Sequence, residues 1–573
     1  MKTKLLTIFL KIMIVPVVMG QYVYDYQAIY PVNPPKTLSS KNFTFTKVNL
    51  TDNNEISYSL VSTTTIKENI QALTPMLLNK NFEIIQYRHY IHSSIENIFL
   101  TAKDVISTID GGYVVCGDVK IKEENKKAFI AKFDFKYNLT WYFEYPEITS
   151  LNAIVEANNA NSKVNYIACG FIEDTNARYG NGVIIGITKY GIPIWKLVTL
   201  TPGKSDKTLY NDIKGTRLST STTELFAATG NAITSPYRDK NVLVTLLDIE
   251  GNVYFSNLYG LFNDGGTIYD EEAYGLDFIT ENQIAITGRC KQTFEMLPAI
   301  VYDDVLVFSI DIKGNLLWAS RFDIPENNVS GEYGRKIVYH NNQYLISGYY
   351  RGYAFNNNSS VDAFVAAFSP KYRSIPIRVY GDSGDDYFYA QEINLDYDGL
   401  ISAGYSNSFY DNTNINQSYY PYVVESYKTI QKPCHSKWYN TPNIPMELKS
   451  QSVKYLINNT KYQENKLIEV DYPVYHKIIC PKIPLSIDTA IVKTKINKSE
   501  ENNSIKVISV NNTQLKITNV ESNTQYKILS INGNILQQGN LNDNLCDISN
   551  LKQGMYFISI KIGDKFVTLK FVK

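Results

Sequence analysis

The sequence of 573 residues is poor in the residues that most often carry chemistry or covalent cross-links, with six cysteines, five histidines and four tryptophans. An excess of charge of one sign is also absent, because 56 Lys and Arg residues balance 56 Asp and Glu residues. A net charge of zero offers no electrostatic attraction to nucleic acid or to an anionic membrane. We therefore expect no nucleic-acid partner, and we interpret the mature chain as a monomer.

Long apolar runs are absent after the N-terminus, so no membrane span is predicted in the mature chain. At the N-terminus, Lys2 and Lys4 precede an apolar run that Lys11 interrupts, and Val18 and Gly20 fit the positions before a cleavage site. This pattern predicts a signal peptide over residues 1–20. A membrane anchor is the alternative, which the short and split run disfavours.

Strand-forming residues are abundant, since 45 tyrosines accompany frequent Asn, Ile and Val. Six strand-like segments end in a small residue followed by glycine. The final glycines of these segments are Gly117, Gly170, Gly230, Gly288, Gly348 and Gly404. Such a pair predicts a crowded place where backbones approach closely. Because Cys116 and Cys169 occupy the small-residue position, we interpret them as buried thiols and not as a disulfide.

A hairpin pattern follows these segments at the distance of a loop. In residues 128–141, 182–195 and 305–318, an alternating run meets a tight turn and a second run that closes on tryptophan. A further strand precedes each glycine-ending segment. Each repeat therefore offers about four strands, the content of one propeller blade.

These repeats predict an all-β fold with a β-propeller over residues 21–433. A weaker unit upstream, residues 55–61 with 70–87, lacks the final glycine. Counting it predicts seven blades, and leaving it out predicts six. A stack of separate sandwich domains is disfavoured, because a four-stranded unit has too little core to stand alone.

Residues 380–386, followed by 398–404, carry the repeat in its sharpest form. They resemble the repeat of exported bacterial propeller proteins, and the same pattern covers residues 110–141 and 304–318. The resemblance extends over about residues 100–430. It implies the propeller fold and says almost nothing about activity.

After Pro433 the repeat stops, and residues 434–503 are predicted to form a connector, with residues 493–503 as a polar linker. Cys434 and Cys480 each lie beside a proline in this connector. A disulfide between them is chemically reasonable in an exported protein, and free thiols are the alternative.

The last segment, residues 504–573, alternates apolar and polar residues as a small Ig-like β-sandwich requires. It resembles the type A C-terminal sorting domain of the type IX secretion system of Bacteroidetes in residues 526–534, 551–556 and 565–573. The residues that carry this resemblance are Gly533, Gly554, Tyr556, Lys570 and Lys573. The resemblance implies passage through the periplasm, contact with the type IX machinery, and release or attachment at the outer-membrane surface. An ordinary adhesive module is the alternative.

The residues after Tyr380 offer two candidate sites, a serine-protease nucleophile and a calcium site. Gly381–Gly384 matches the string around the serine of chymotrypsin-like proteases, but no histidine of the chain lies in a recognisable catalytic context, so Ser383 is interpreted as a turn residue. Asp382, Asp385 and Asp386 offer oxygen ligands for calcium, with loop capping as the alternative. No other cofactor and no catalytic residue is predicted.

The predicted function is binding of an extracellular glycan or protein by a non-enzymatic propeller. Residues 356–361 and 405–419, rich in Asn, Ser and Tyr, are the loops expected to provide contacts. The alternative is a hydrolase or lyase that acts on polysaccharide. Carboxylates converging on a central channel would favour the enzyme, and a rim of Asn and Tyr would favour the binding protein.

Overall fold

The computed structural model describes most of the chain between residues 26 and 572. The described ranges are 26–29, 43–49, 56–67, 70–79, 82–93, 98–159, 162–173, 180–200, 207–217, 224–234, 239–261, 267–294, 301–324, 330–352, 360–382, 384–394, 399–408, 420–427, 436–458, 460–464, 467–470, 477–480, 506–511, 514–518, 520, 523–529, 535–551, 555–562 and 565–572. The predicted signal peptide and the polar linker of residues 493–503 lie outside them. The regular structure in these ranges is β-strand, and none of them contains a helix that would cross a membrane.

The chain divides into two compact units, Met1–Leu485 and Ser486–Lys573. Most strands of the first unit fall into seven consecutive groups, preceded by β1 (Tyr26–Ile29). Group 1 comprises β2 (Phe43–Asn49), β3 (Ile56–Lys67), β4 (Ile70–Leu78), β5 (Ile84–Tyr87) and β6 (His89–His92). Group 2 comprises β7 (Ile98–Ser107), β8 (Tyr113–Ile121), β9 (Lys127–Phe133) and β10 (Leu139–Tyr145).

Groups 3 to 7 continue the same order along the chain. Group 3 comprises β11 (Ser150–Glu156), β12 (Tyr166–Glu173), β13 (Gly180–Ile187) and β14 (Pro193–Leu200). Group 4 comprises β15 (Lys207–Arg217), β16 (Glu224–Thr234), β17 (Asp239–Asp248) and β18 (Val253–Gly260). Group 5 comprises β19 (Thr267–Thr280), β20 (Gln283–Phe294), β21 (Val301–Asp311) and β22 (Leu316–Phe322). Group 6 comprises β23 (Ser330–His340), β24 (Gln343–Gly352), β25 (Ser360–Phe368) and β26 (Ser374–Tyr380). Group 7 comprises β27 (Asp386–Asn394), β28 (Gly399–Ser406) and β29 (Tyr420–Tyr427).

Within each group, consecutive strands pair antiparallel, and in group 1 both β5 and β6 pair with β4. The hairpin turns occur where the sequence predicts them. Backbone φ is positive at Tyr137, Gly191 and Gly314 in the three predicted hairpins, and also at Gly251 in the turn between β17 and β18, as such tight turns demand. The predicted hairpins are thereby confirmed.

The first strands of successive groups pack against one another. The series runs β2, β7, β11, β15, β19, β23 and β27, and β27 packs in turn against β2. Seven apolar clusters follow the same rule, each built from side chains of two successive groups, the last joining group 7 to group 1. Cys116 and Cys169 are buried free thiols in two different clusters, as the sequence predicts.

The groups gain outer strands from two distant parts of the chain. β1 pairs with β29 of group 7. Residues 436–480, here called the edge segment, then supply one short strand after another. These strands are β30 (Ser436–Pro442), β31 (Ile444–Pro445), β32 (Lys449–Ser452), β33 (Lys454–Asn458), β34 (Gln463–Glu464), β35 (Leu467–Val470) and β36 (Lys477–Cys480). They pair, in that order, with β26, β22, β18, β14, β10, β6 and β1.

The edge segment lies within the connector that the sequence predicts over residues 434–503. Its strands add to the outer edge of every group, although β32 and β33 are exposed along their whole length. An outer strand is held by backbone hydrogen bonds, which any side chain permits. Regular alternation of apolar residues, the usual signal for a strand, is therefore not required in this part of the sequence.

The second unit has two sheets. Its strands are β37 (Lys506–Asn511), β38 (Gln514–Thr518), β39 (Gln525–Leu529), β40 (Ile535–Asn540), β41 (Leu545–Asp547), β42 (Met555–Ile562) and β43 (Lys565–Val572). One sheet has the order β37-β38-β41 and the other β40-β39-β42-β43. A single apolar cluster, including Ile517, Ile528 and Ile558, draws on both sheets. Cys546 is a buried free thiol in this cluster.

Candidate functional site

The repeated glycines mark the closest approach between the first two strands of groups 2 to 7. A Cβ added to each glycine would lie 1.7 to 2.0 Å from a backbone carbonyl oxygen of the preceding strand. Those oxygens belong to Thr101, Ser150, Leu209, Glu272, Tyr333 and Tyr387. This is the crowding of backbones that the sequence predicts, and side chains larger than hydrogen do not fit.

Each of these glycines also lies opposite a β-bulge. The register of the first strand shifts by one residue beside the glycine, which leaves one residue unpaired. The six bulge residues are Lys103, Asn152, Asn211, Tyr274, Arg335 and Tyr389. Group 1 has no such glycine, and the described register between β2 and β3 is unbroken.

The six bulge residues meet in one cavity of about 300 Å³, here called the bulge cavity. Ala102 and Lys336, neighbours of two bulge residues, complete its described lining. The convergence follows from the fold, because the first strands pack against one another and those of groups 2 to 7 each carry a bulge at the same place. Bulges are common where a sheet directs side chains to a functional site.

The walls of the bulge cavity are held by a repeated set of hydrogen bonds between groups. Asn152 Nδ2 donates to Tyr210 O at 2.7 Å, and Asn211 Nδ2 donates to Ala273 O at 2.6 Å. The side chain that follows a bulge acts in the same way: Asp212 Oδ2 accepts from Leu276 N at 3.1 Å. These contacts fix the lining before any ligand arrives.

A second cavity, of about 650 Å³, adjoins the first and is here called the tyrosine cavity. Its lining, on groups 5, 6 and 7, is Arg289, Lys291, Asp303, Gly331, Tyr333, Tyr349, Arg351, Val361, Tyr387, Tyr389 and Tyr405. The ring centroids of Tyr349 and Tyr387 are 4.8 Å apart, and those of Tyr387 and Tyr405 are 4.4 Å apart. Tyr389 lines both cavities.

Arg335 lines the bulge cavity and contacts Tyr349, which lines the tyrosine cavity. Its guanidinium lies 4.1 Å from the ring centroid of Tyr274 and 5.1 Å from that of Tyr349, within the range of cation–π attraction. Nη2 donates to Tyr349 Oη at 2.7 Å. Nε is buried and has no hydrogen-bond partner among the described residues.

Arg289 forms an ion pair in the lining of the tyrosine cavity. Its Nε and Nη2 atoms donate to the two carboxylate oxygens of Asp303, each at 2.5 Å, and the guanidinium lies 4.8 Å from the ring centroid of Tyr333. Such bidentate geometry holds a planar donor surface in place. Asp303 is the one carboxylate in the described lining of either cavity.

Two aspartates beside the bulge cavity link successive groups of strands through hydrogen bonds to backbone. Asp104 Oδ2 accepts from Ile154 N at 3.0 Å, and Asp277 Oδ2 accepts from Tyr339 N at 3.0 Å. Burial raises the pKa of Asp104, an effect that Lys336 opposes, and burial raises the pKa of Asp277 to about 6. Since their oxygens accept from backbone of the next group, we interpret both as structural.

The residues predicted for calcium lie between groups 6 and 7. Asp386 is fully buried and accepts from Ser408 Oγ and, at 3.4 Å, from Asp382 N. Asp385 Oδ1 accepts from Val361 N at 3.0 Å. These contacts are of the loop-capping kind, and calcium binding by the three aspartates stays a prediction. Ser383 lies outside the described residues.

One group of three acids in the described ranges brings its ligand atoms within 4.8 Å of one another, namely Asp304, Asp323 and Glu332. Arg321 Nη1 lies 3.0 Å from Asp304 Oδ2, and Glu332 Oε1 accepts from Ile324 N at 2.9 Å. Glu332 thus caps the backbone between groups 5 and 6 as Asp386 does between groups 6 and 7. The oxygen donors suit calcium, but the contacts to Arg321 and to backbone give these acids a structural role.

The buried acids predict how stability depends on pH. Burial raises the pKa of Asp386 to about 7 and that of Asp304 to about 6, so the folded chain holds these protons more tightly than the unfolded chain. Stability therefore falls as pH rises from about 4 towards 7. We expect thermal unfolding of the first unit at a higher temperature at pH 5 than at pH 8.

The variant Asp386→Asn should flatten this dependence, because its side chain has no proton to lose. Asp311→Asn is the matched control, since hydrogen bonds from Asn315 outweigh partial burial and lower the pKa of this turn residue. It should keep the wild-type difference between pH 5 and pH 8. A wild-type midpoint that rises over this interval would contradict the prediction.

Several sequence-predicted residues fall outside the site. Of the loops expected to provide contacts, Val361 and Tyr405 line the tyrosine cavity, whereas residues 356–359 and 409–419 lie outside the described residues. Cys434, one half of the predicted disulfide, also lies outside them. Of the sorting-motif residues, Tyr556 and Lys570 lie on β42 and β43, and Gly533, Gly554 and Lys573 are not described.

No sequence pattern marks the bulge residues. The number of residues between Lys103 and Gly117 differs from that between Asn211 and Gly230, because the loops in between differ in length. A fixed offset from the repeated glycine therefore does not exist. The usable signal is the unpaired residue opposite each glycine, which appears only once the strand register is known.

Comparison with known proteins identifies the C-terminal segment. Residues 502–573 match the family described as the secretion system C-terminal sorting domain. This domain indicates export by the type IX secretion system of Bacteroidetes, followed by secretion or attachment at the cell surface, and implies interaction with the machinery of that system. The predicted localisation is confirmed. No curated protein matches the chain.

Solved structures show only distant likeness. A protein of unknown function from Dyadobacter fermentans is 9% identical, with a TM-score of 0.36 over 70% of this chain and 98% of its own. The Drosophila Semaphorin 1b extracellular domains 1–2 are 7% identical, with a TM-score of 0.25 over 71% of this chain and 88% of their own. PorZ, a surface component of the type IX secretion system of Porphyromonas gingivalis, is 8% identical, with a TM-score of 0.13 over 95% of this chain and all of its own. Scores this low carry no argument about fold or function.

Proposed function

We propose that the first unit is a seven-bladed β-propeller that binds a glycan outside the cell, carried there by a sorting domain with an Ig-like fold. Seven groups of strands whose first strands pack in an unbroken cycle support the propeller. The pairing of β1 with β29 joins the two ends of the repeat region and supports the same arrangement. Propeller folds place ligands at the centre of the ring or on one of its faces.

The tyrosine cavity is the proposed binding site. Its volume lies in the range of ligand pockets, and its five tyrosines combine flat apolar faces with hydroxyl groups. Sugar rings present an apolar face and hydroxyls at their edges, so they suit such a lining. The fixed ion pair of Arg289 and Asp303 adds oriented donors and acceptors. This combination of tyrosines around one cavity is the observation that carries the proposal.

Binding is favoured over hydrolysis by the charges of the lining. Glycoside hydrolysis usually needs two carboxyl groups on either side of the bond that is cleaved. The described lining of the two cavities contains Asp303 alone, and Arg289 holds both of its oxygens. Beside the bulge cavity, Asp104, Asp212 and Asp277 accept hydrogen bonds from backbone of the next group.

The test is a glycan array probed with the full chain, followed by titration of the best glycan and an assay for released reducing ends. Tyr349→Ala should weaken binding about tenfold or more, because a central aromatic contact is lost. Tyr190→Ala is the matched control, since this tyrosine is 61% exposed and outside both cavities. Equal affinity of the two variants, or glycan cleavage by the wild type, would contradict the proposal.

A further inference from the structure

Positively charged side chains outnumber carboxylates in the described linings of both cavities. The bulge cavity is lined by Lys103, Arg335 and Lys336, with no carboxylate in its described lining. Lys336 Nζ lies 2.8 Å from Asp212 Oδ1, which leaves Lys103 and Arg335 without an ion pair to a described residue. In the tyrosine cavity, Asp303 neutralises Arg289, and the lining also contains Lys291 and Arg351. The described linings thus hold four cations, Lys103, Arg335, Lys291 and Arg351, that form no ion pair with a described carboxylate.

Two of these cations are partly buried, which makes the imbalance costly without a ligand. Burial lowers the pKa of the Lys103 ammonium, and the nearby Asp118 opposes this effect. Asp118 is itself engaged, because Lys126 Nζ lies 3.2 Å from its Oδ1 atom. A bound anion would supply the charge that these side chains lack.

The bulge cavity also contains a hydrogen-bond donor that has no partner among the described residues. Arg335 Nε is buried and has no partner among the described residues, while tyrosine rings cover the faces of the guanidinium. A buried donor without an acceptor destabilises the folded chain. Carboxylate and sulfate oxygens accept from guanidinium N–H groups along their edge, where Nη2 of Arg335 already donates to Tyr349 Oη and Nε remains for a ligand.

We propose that the glycan bound by this protein is acidic, and that its carboxylate or sulfate group lies in the bulge cavity against Lys103 and Arg335 while its sugar rings pack on the tyrosines. The proposal rests on the function proposed above. Tyr389 lines both cavities, so a substituent in the smaller one and rings in the larger one can belong to the same ligand. The bulge cavity, at about 300 Å³, suits a substituent better than a chain of sugars.

The experiment compares matched ligands on the full chain by calorimetry. Oligogalacturonate is titrated beside the same material after carboxyl reduction, and a sulfated galactan fragment beside its desulfated form. Glucuronate, glucose and inorganic sulfate are tested separately by thermal shift. We expect at least one acidic form to bind about tenfold or more tightly than its neutral partner, since a charge-assisted hydrogen bond to a buried cation is lost on neutralisation.

The variant Lys103→Met should abolish this preference, and Lys103→Arg should retain it. Removal of a partly buried, unpaired charge should not lower the unfolding temperature, so loss of binding by Lys103→Met will not reflect misfolding. Lys189→Met is the matched control, because this lysine lies in a turn outside both cavities, over the ring of Tyr190.

The outcomes separate the two proposals. The acidic-ligand proposal is overturned if two results are obtained together. Glucuronate and inorganic sulfate would raise the unfolding temperature of the wild type no more than that of the Lys103→Met variant, and acidic glycans would bind no better than neutral ones. Neutral glycan binding that depends on Tyr349 would still support the proposed function in that case. Conversely, anion binding that depends on Lys103, without any effect of Tyr349→Ala on glycans, supports the anion site and overturns the glycan function.

Discussion

Replacement of Gly288 by alanine is expected to lower the free energy of unfolding of the first unit by about 3 kcal/mol, the upper end of typical overpacking costs. The new Cβ would lie 1.7 Å from Glu272 O and 2.8 Å from Ala273 Cα, both of them backbone atoms. Backbone within a paired bulge has no rotamer to change, so the two strands must separate. Thermal unfolding followed by circular dichroism measures the loss.

The same substitution should also disturb the bulge cavity, because Ala273 pairs with Gly288 and precedes the bulge residue Tyr274. Gly180→Ala is the matched control within the first unit. Gly180 lies on β13 without a positive φ, and the nearest atom to an added Cβ there is Ile172 O at 3.0 Å. A cost below about 1 kcal/mol is expected for it. Equal midpoints for the two variants would show that the close approach at Gly288 has no energetic weight.

A chain that ends at Pro433 is expected to be insoluble, whereas a chain that ends at Leu485 folds with the thermal midpoint of the first unit. The shorter chain lacks the edge segment, so the outer strands of groups 1 to 6 lose their neighbours. Unpaired strand edges present rows of free N–H and C=O groups that pair with other chains and cause aggregation. The sequence alone places the domain boundary at residue 433, so this experiment separates the two views.

The edge segment also contributes apolar contacts. Leu448 and Leu467 are 7% and 9% exposed and belong to two of the clusters between groups. Burial of two leucines of this kind is worth about 1.5–3 kcal/mol for each. The chain ending at Leu485 is the control, because it lacks only the second unit. Soluble yield and thermal unfolding of both chains are the measurements, and a stable, soluble chain ending at Pro433 would refute the structural role of the edge segment.

Local chemistry made several features predictable. The positive φ of Gly191, Gly251 and Gly314 follows from glycine's lack of a side chain, and the hairpins occur at these turns. The alternation of apolar residues likewise predicts β38, β39 and β42 of the second unit. β41 has three residues, too few for alternation to be visible in the sequence.

The residues of the candidate site cannot be recognised from the local sequence. Tyr333 and Tyr349 belong to group 6, Tyr387 and Tyr405 to group 7, and Arg289 to group 5. In a chain with 45 tyrosines, nothing local distinguishes these four from those of the apolar clusters. They become a site because three groups of strands meet there.

The sequence by itself determined the features that depend on neighbours along the chain: the all-β character, the hairpin turns, the six glycines that lie against the preceding strand and the C-terminal sorting domain. Only the tertiary structure decided which side chains share a cavity and where the edge segment lies. The physical reason is the same for both. The position of a bulge residue depends on how two strands pair, and an outer strand is held by hydrogen bonds between backbone atoms. Neither feature requires a particular pattern of residues along the chain.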